Sequence, residues 1–110
     1  MFEITEKDVK AVYDRLRDRY DLTLTSSLSL DEGFEMDCPV LVGRRGNGVL
    51  WLYEYGGDFV LDVLNSEHTA GTHWHPDTLE EAAEDVAAFM EGNREYKLRF
   101  FRNPWKIQKL

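Results

Sequence analysis

Two of the three histidines, His73 and His75, stand two residues apart in the run Gly71-Thr72-His73-Trp74-His75-Pro76-Asp77-Thr78. On a strand, side chains two apart share a face, so both imidazoles reach toward one ion. Zinc takes histidine nitrogens in this way, and Glu67, His68 and Asp77 are the further ligands the chain offers nearby. A catalytic zinc site needs three protein ligands and an open position. The same run also reads as the start of a helix, with Pro76, Asp77 and Thr78 leading into Leu79-Glu80-Glu81-Ala82-Ala83. An imidazole at such a junction hydrogen-bonds loop backbone, and this structural role outweighs metal binding. The longer zinc-protease pattern His-Glu-x-x-His does not occur.

The other chemistry-bearing residues are weaker candidates. Cys38 is the single cysteine, beside Asp37 and Pro39. It has no basic neighbour to lower its pKa, so it reads as a structural thiol. Glu80, Glu81, Glu84, Asp85 and Glu91 read as the solvated acids of an amphipathic helix, the first two favouring its positive N-terminal end. Ser66 beside His68 lacks the strained strand-to-helix turn that exposes a nucleophile. Gly43-Arg44-Arg45-Gly46-Asn47-Gly48 is glycine-rich but joins two strands and opens no helix, so the phosphate-loop context fails. Arg44 and Arg45 then belong to a solvated hairpin tip. No catalytic constellation emerges, and the chain is expected to be neither an enzyme nor the holder of a cofactor. Glu54 and Asp62 stand out differently: each interrupts an apolar strand, which suits a polar contact with a partner.

The elements that must hold these residues are well punctuated. Thr5 as N-cap, Asp8 three residues on and an Ile4–Val9 staple start a helix over about Glu6–Tyr20. Val9, Val12, Tyr13, Leu16 and Tyr20 form its apolar stripe. Residues 21–30 alternate Leu with Thr and Ser up to a slip at Ser26-Ser27, which suggests an edge strand or a packed loop. A meander of three strands follows: Phe34–Val42, Val49–Tyr55 and Phe59–Leu64, with Gly56-Gly57 as a tight turn. Pro39 lacks a ladder donor, so the first of these is expected at a sheet edge or at a bulge. Thr72–His75 is a short strand. A second helix over residues 78–91 begins at a cap at Asp77 or Thr78 and stops at Gly92. Tyr96–Arg102 is a last strand, with Trp105 and Ile107 as tail anchors.

Both faces of the meander are apolar. Leu50 and Leu52 point one way; Trp51, Tyr53 and Tyr55 point the other. Phe59, Leu61 and Val63 share one face; Val60 and Leu64 share the opposite one with Asp62. A sheet with one wet face alternates more cleanly. The basic, aromatic tail or a partner is therefore expected to cover the second face.

At 110 residues the chain is expected to be a single α+β domain spanning 1–110. Its fold class is an antiparallel sheet of four to six strands, with the N-terminal helix and the second helix packed on one face. Of these residues 43% are apolar and 31% charged, the balance of a soluble globular protein. No apolar run is long enough for a membrane span, no signal-peptide pattern opens the chain, and a lone cysteine suits the reducing cytoplasm. The formal net charge is −8. Residues 66–92 carry seven acids and no base, whereas residues 93–110 carry six bases against Glu95 alone. An acidic body is repelled by phosphate backbones and attracts basic proteins, so the expected partner is a protein and not nucleic acid.

This charge distribution and element order resemble those of small acidic immunity proteins of bacterial polymorphic toxin systems. The stretch Gly71-Thr72-His73-Trp74-His75-Pro76 with Glu80-Glu81-Ala82 is also similar to a segment of small uncharacterised bacterial proteins. The first resemblance implies a non-enzymatic binder that neutralises a toxin by occupying its cleft, with a basic toxin domain as the expected partner. Trp74, Leu50 and Leu52 are the candidate apolar anchors, with Glu54 and Asp62 as polar contacts. The alternatives are a small metal-binding protein or metal-dependent enzyme centred on His73 and His75, and a homodimer formed through the second sheet face.

Overall fold

The computed structural model describes residues 3–30, 37–65 and 71–92, with only the backbone for residues 65 and 71–73. The expected strand at Tyr96–Arg102, the anchors Trp105 and Ile107, the Asp31-Glu32-Gly33 turn, and Ser66, Glu67 and His68 lie outside the described residues.

The described chain forms α1 (Glu6–Leu16), β1 (Leu22–Ser26), a short 3₁₀ turn (Ser27–Ser29), β2 (Pro39–Arg45), β3 (Gly48–Tyr55), β4 (Asp58–Asn65), β5 (Gly71–Trp74) and α2 (Leu79–Glu91). All neighbouring strands pair antiparallel, and the spatial order β1-β2-β3-β4-β5 follows the chain. This is the expected α+β arrangement, an open five-stranded meander with two helices.

Local signals account for most boundaries. The Asp8 carboxylate accepts the Thr5 backbone N–H at 2.7 Å, one half of a capping box. Thr78 caps α2 by accepting the Glu81 N–H at 3.0 Å, and Gly92 ends it in the left-handed region at φ 68°. Gly56 and Gly57 both have positive φ, which matches the two-residue turn that suits strand twist between β3 and β4.

Four boundaries differ from expectation. Helix α1 stops at Leu16 and residues 17–20 turn instead, with the Tyr20 hydroxyl donating to Glu91 on α2. Strand β2 is interior, not an edge, and runs from Pro39; residues 34–36 of the expected strand lie outside the described residues. Ser27 N–H bonds the Cys38 carbonyl at 2.8 Å, so by alternation Ser26 and Pro39 form a non-hydrogen-bonded pair. The missing donor of Pro39 therefore faces β3, whose pairing with β2 starts only at Leu41. The glycine-rich loop shrinks to Gly46-Asn47, since Arg45 pairs with Gly48. Strand β5 ends at Trp74, so His75 lies beyond it.

The main core lies between the sheet and both helices. Val9, Val12 and Leu16 of α1 and Ala82, Ala83, Val86 and Phe89 of α2 pack with Leu41, Leu50, Leu52, Phe59, Leu61 and Trp74. Each Val, Leu or Phe among them contributes about 1.5–3 kcal/mol through burial. Gly43 lets α2 approach: a Cβ there would stand 2.8 Å from the Met90 sulfur. On the opposite face Val40, Val42, Val49 and Trp51 form a second buried cluster, with Tyr53, Leu64, Leu30 and Cys38 against it.

Candidate functional site

The junction between β5 and α2 gathers four of the singled-out residues: Trp74, His75, Thr78 and Asp85. Trp74 lies opposite Leu61 on β4, which sets its indole on the helix-facing side. The indole is 2% exposed, and its Nε1–H donates to Asp85 Oδ2 at 3.0 Å. Asp85 is itself 3% exposed. A carboxylate so deep in a core is tolerated because it is hydrogen-bonded. Asp85 was expected among the solvated acids of α2 and is corrected to a core residue. Its place was readable in principle: positions 82, 85, 86 and 89 follow helical spacing along the buried stripe.

His75 sits half-buried past the end of β5, with Nδ1 2.9 Å from the Phe59 carbonyl oxygen. A carbonyl only accepts, so Nδ1 carries the proton in this contact. The imidazole thus ties the strand exit to β4. His73 lies at the register position opposite Asp62, and its side chain is outside the described residues. Strand β5 ends at Trp74, immediately before His75, and whether the two imidazoles share a face falls on the His73 side chain, outside the described residues. Among the described residues no three His, Cys, Asp or Glu side chains come together to hold a metal.

The expected partner anchors are also relocated. Leu50 and Leu52 are fully buried in the helix-facing core, as is Trp74, so none of the three presents a surface to a partner. The Glu54 carboxylate accepts the Gly57 N–H at 2.8 Å and braces the β3–β4 turn. Asp62 lies on the second face, where Tyr53 Oη donates to its Oδ2 at 3.0 Å. Burial first, and then the Asp62 charge and hydrogen bond, push the Tyr53 phenol well above its usual range. Burial likewise raises the Cys38 thiol, against a weaker opposing hydrogen bond with Ser27. That is the reverse of what a nucleophilic cysteine needs. On the second sheet face, expected for a homodimer, Trp51 and Val60 are buried, Tyr53, Asp62 and Leu64 are half-buried and Tyr55 is exposed.

Arg45 has a role that its place in a glycine-rich hairpin did not suggest. Its guanidinium donates to the Met90 carbonyl at 2.8 Å, at the C-terminal end of α2, where a cation meets the negative end of the helix. Acids and bases share the described surface: Lys7, Lys10, Arg15, Arg17, Arg19 and Arg44 are exposed beside the acids. Asp77, Glu80, Glu84 and Glu91 are exposed along α2, and Glu3 and Glu6 are exposed at the start of α1, in a shallow depression shared with Glu54. No helix among the described residues is long and apolar enough to cross a membrane. No protein-family model, no curated protein and no solved structure matches this chain.

Proposed function

We propose that this chain is a non-enzymatic protein-binding module that meets a basic partner through its acidic surface. The observation that carries the reading is the exposed carboxylate row of α2: Glu80, Glu84 and Glu91 on a helix that contains no base, with exposed Asp77 just before its cap. Such a row focuses negative potential and raises the rate of encounter with a cationic protein. The chemically capable side chains are occupied in structural contacts, His75 with Phe59, Asp85 with Trp74 and Asp62 with Tyr53, which favours binding over catalysis. The specific form we propose is an immunity-type protein acting in the cytoplasm, where Cys38 stays a thiol, with a toxin domain as the partner.

The test is capture of the partner from the source cells, followed by rapid-mixing kinetics of the purified pair. Glu80→Lys combined with Glu84→Lys should slow association by roughly tenfold at low salt, and the difference should shrink as salt screens it. A partner that associates equally fast with the reversed chain removes the acidic-surface reading. Capture of no protein at all removes the binding module itself.

A further inference from the structure

The second sheet face is enclosed more deeply than the described elements account for. Val40 is 0% exposed, Val49 1%, Trp51 5% and Val42 7%. Side chains stand roughly perpendicular to a sheet, so enclosure of this depth needs a layer lying over them. Both helices pack on the opposite face, against Leu41, Leu50 and Leu52. The described neighbours of the cluster stand around its margin. Tyr53 and Leu64 are strand residues of the same sheet, and Leu30 and Cys38 lie in the connection from β1 to β2. Among the described residues no helix packs on this face.

Four stretches outside the described residues are available to supply the layer, and their tethers separate them. Residues 1–2 adjoin Glu3, which stands beside Gly57 in the β3–β4 turn. Residues 31–36 return between Leu30 and Asp37, and residues 66–70 bridge the end of β4 to the start of β5. Each of these is short and tied to a rim of the face. Val42 and Trp51 pair with each other midway along β2 and β3, away from both rims.

Residues 93–110 differ in length and in starting point. They follow Gly92, where an added Cβ would stand 2.6 Å from the Arg45 guanidinium, and Phe89 packs as closely on Gly48. The segment therefore sets out from the β2–β3 hairpin, next to Val49. Eighteen extended residues reach about 60 Å, against about 27 Å for the eight residues of β3. The segment also carries Tyr96, Leu98, Phe100, Phe101, Trp105 and Ile107, enough apolar surface to cover a cluster of valines and a tryptophan. Charge does not make the choice. Alternation puts Arg44, Asp58 and Asp62 on this face, so its charges are of both signs.

We infer that residues 93–110 of the same chain lie across the second sheet face and seat apolar side chains on Val42 and Trp51. The face is then an internal layer, closed to a second copy and to a partner. This goes beyond the protein-binding reading, and its test needs no partner, so either can fail alone.

The test uses the full chain, isotope-labelled, and reads nuclear Overhauser contacts. Contacts should join Phe100 or Trp105 to the methyls of Val42 and Val49. In an equal mixture of labelled and unlabelled chains, a filter for contacts between copies should remove them. Trypsin should cut after Arg99 and Arg102 at least about tenfold more slowly in the chain than in a free peptide of residues 93–110. Trp105→Ser combined with Ile107→Ser should shift the Val42 and Val49 methyls and bring cleavage close to the peptide rate. The methyls of Val12, Leu50 and Val86 report whether that variant keeps its fold; if it does not, the contacts in the parent chain still decide. Contacts that survive the filter give the face to a second copy and overturn the proposal. Contacts to Val42 and Trp51 from residues 31–36 instead, or cleavage of the parent chain at the peptide rate, overturn it as well.

Discussion

Both faces of the sheet hold an aromatic donor against a carboxylate at 3.0 Å: Trp74 with Asp85 under the helices, and Tyr53 with Asp62 on the far side. The two pairs look alike chemically but sit in different surroundings. Trp74 and Asp85 are both almost wholly enclosed, and the bond joins a strand to a helix. Tyr53 and Asp62 are half-buried and join adjacent strands that the ladder already holds. A hydrogen bond that fixes the packing of two layers, in a place water does not reach, matters more when broken than one within a sheet.

Substitutions at the two pairs test this difference directly. Trp74→Ala removes the largest fully buried side chain and strips the Asp85 carboxylate of its indole donor, so urea unfolding should show a loss of about 3–5 kcal/mol. Trp74→Phe keeps most of the volume and loses the donor, and should cost about 1.5–3 kcal/mol. Tyr53→Phe, the matching change on the other face, should cost only about 0.5–1.5 kcal/mol. Equal losses for the two phenylalanine variants would erase the contrast between the faces.

The Tyr53 pair also carries a pH dependence. The folded chain holds the Tyr53 proton more tightly than the unfolded chain does, because burial and Asp62 raise its pKa. Its contribution is therefore intact below about pH 10, the ordinary tyrosine value, and is lost as pH climbs past it. Unfolding midpoints should fall on the alkaline side, and Tyr53→Phe should flatten that fall. Tyr20 is also raised, chiefly by its hydrogen bond to Glu91, so Tyr20→Phe is the needed control. A Tyr53→Phe chain with an unaltered alkaline limb would contradict the assignment. The smallest effect is expected at Arg45→Ala, where an exposed guanidinium leaves the end of α2; about 0.5 kcal/mol should be lost by the same measurement.

Much of this layout was legible residue by residue. Thr78 and Gly92 mark both ends of α2, and Gly56-Gly57 marks the β3–β4 turn, because caps and tight turns depend on φ and on local donors. Where a distant group intervenes, local reading fails. The helical stripe of α1 runs on to Tyr20, but the chain unwinds after Leu16, where the Tyr20 hydroxyl meets Glu91 seventy-one residues away. The β2 boundary moved because the missing donor of Pro39 matters only where a neighbouring strand would ask for it. At the candidate site the sequence placed Trp74, His75 and Thr78 at one junction, and it marked Asp62 as the odd polar residue on an apolar strand. It did not reveal that Asp85 would join them or that Trp74 would be enclosed.

Period-two alternation determines which strand residues share a face, and the sequence alone sorted Leu50, Leu52, Phe59 and Leu61 from Trp51, Tyr53, Val60 and Asp62. Alternation says nothing about which of two apolar faces the helices will cover. With both faces apolar, neither is marked as the inside by composition. The choice was made in the tertiary structure, where Gly43 leaves room for Met90 and Asp85 comes within bonding distance of the Trp74 indole. That choice turned Trp74, Leu50 and Leu52 from candidate anchors into core, and left Glu80, Glu84 and Glu91 of α2 exposed.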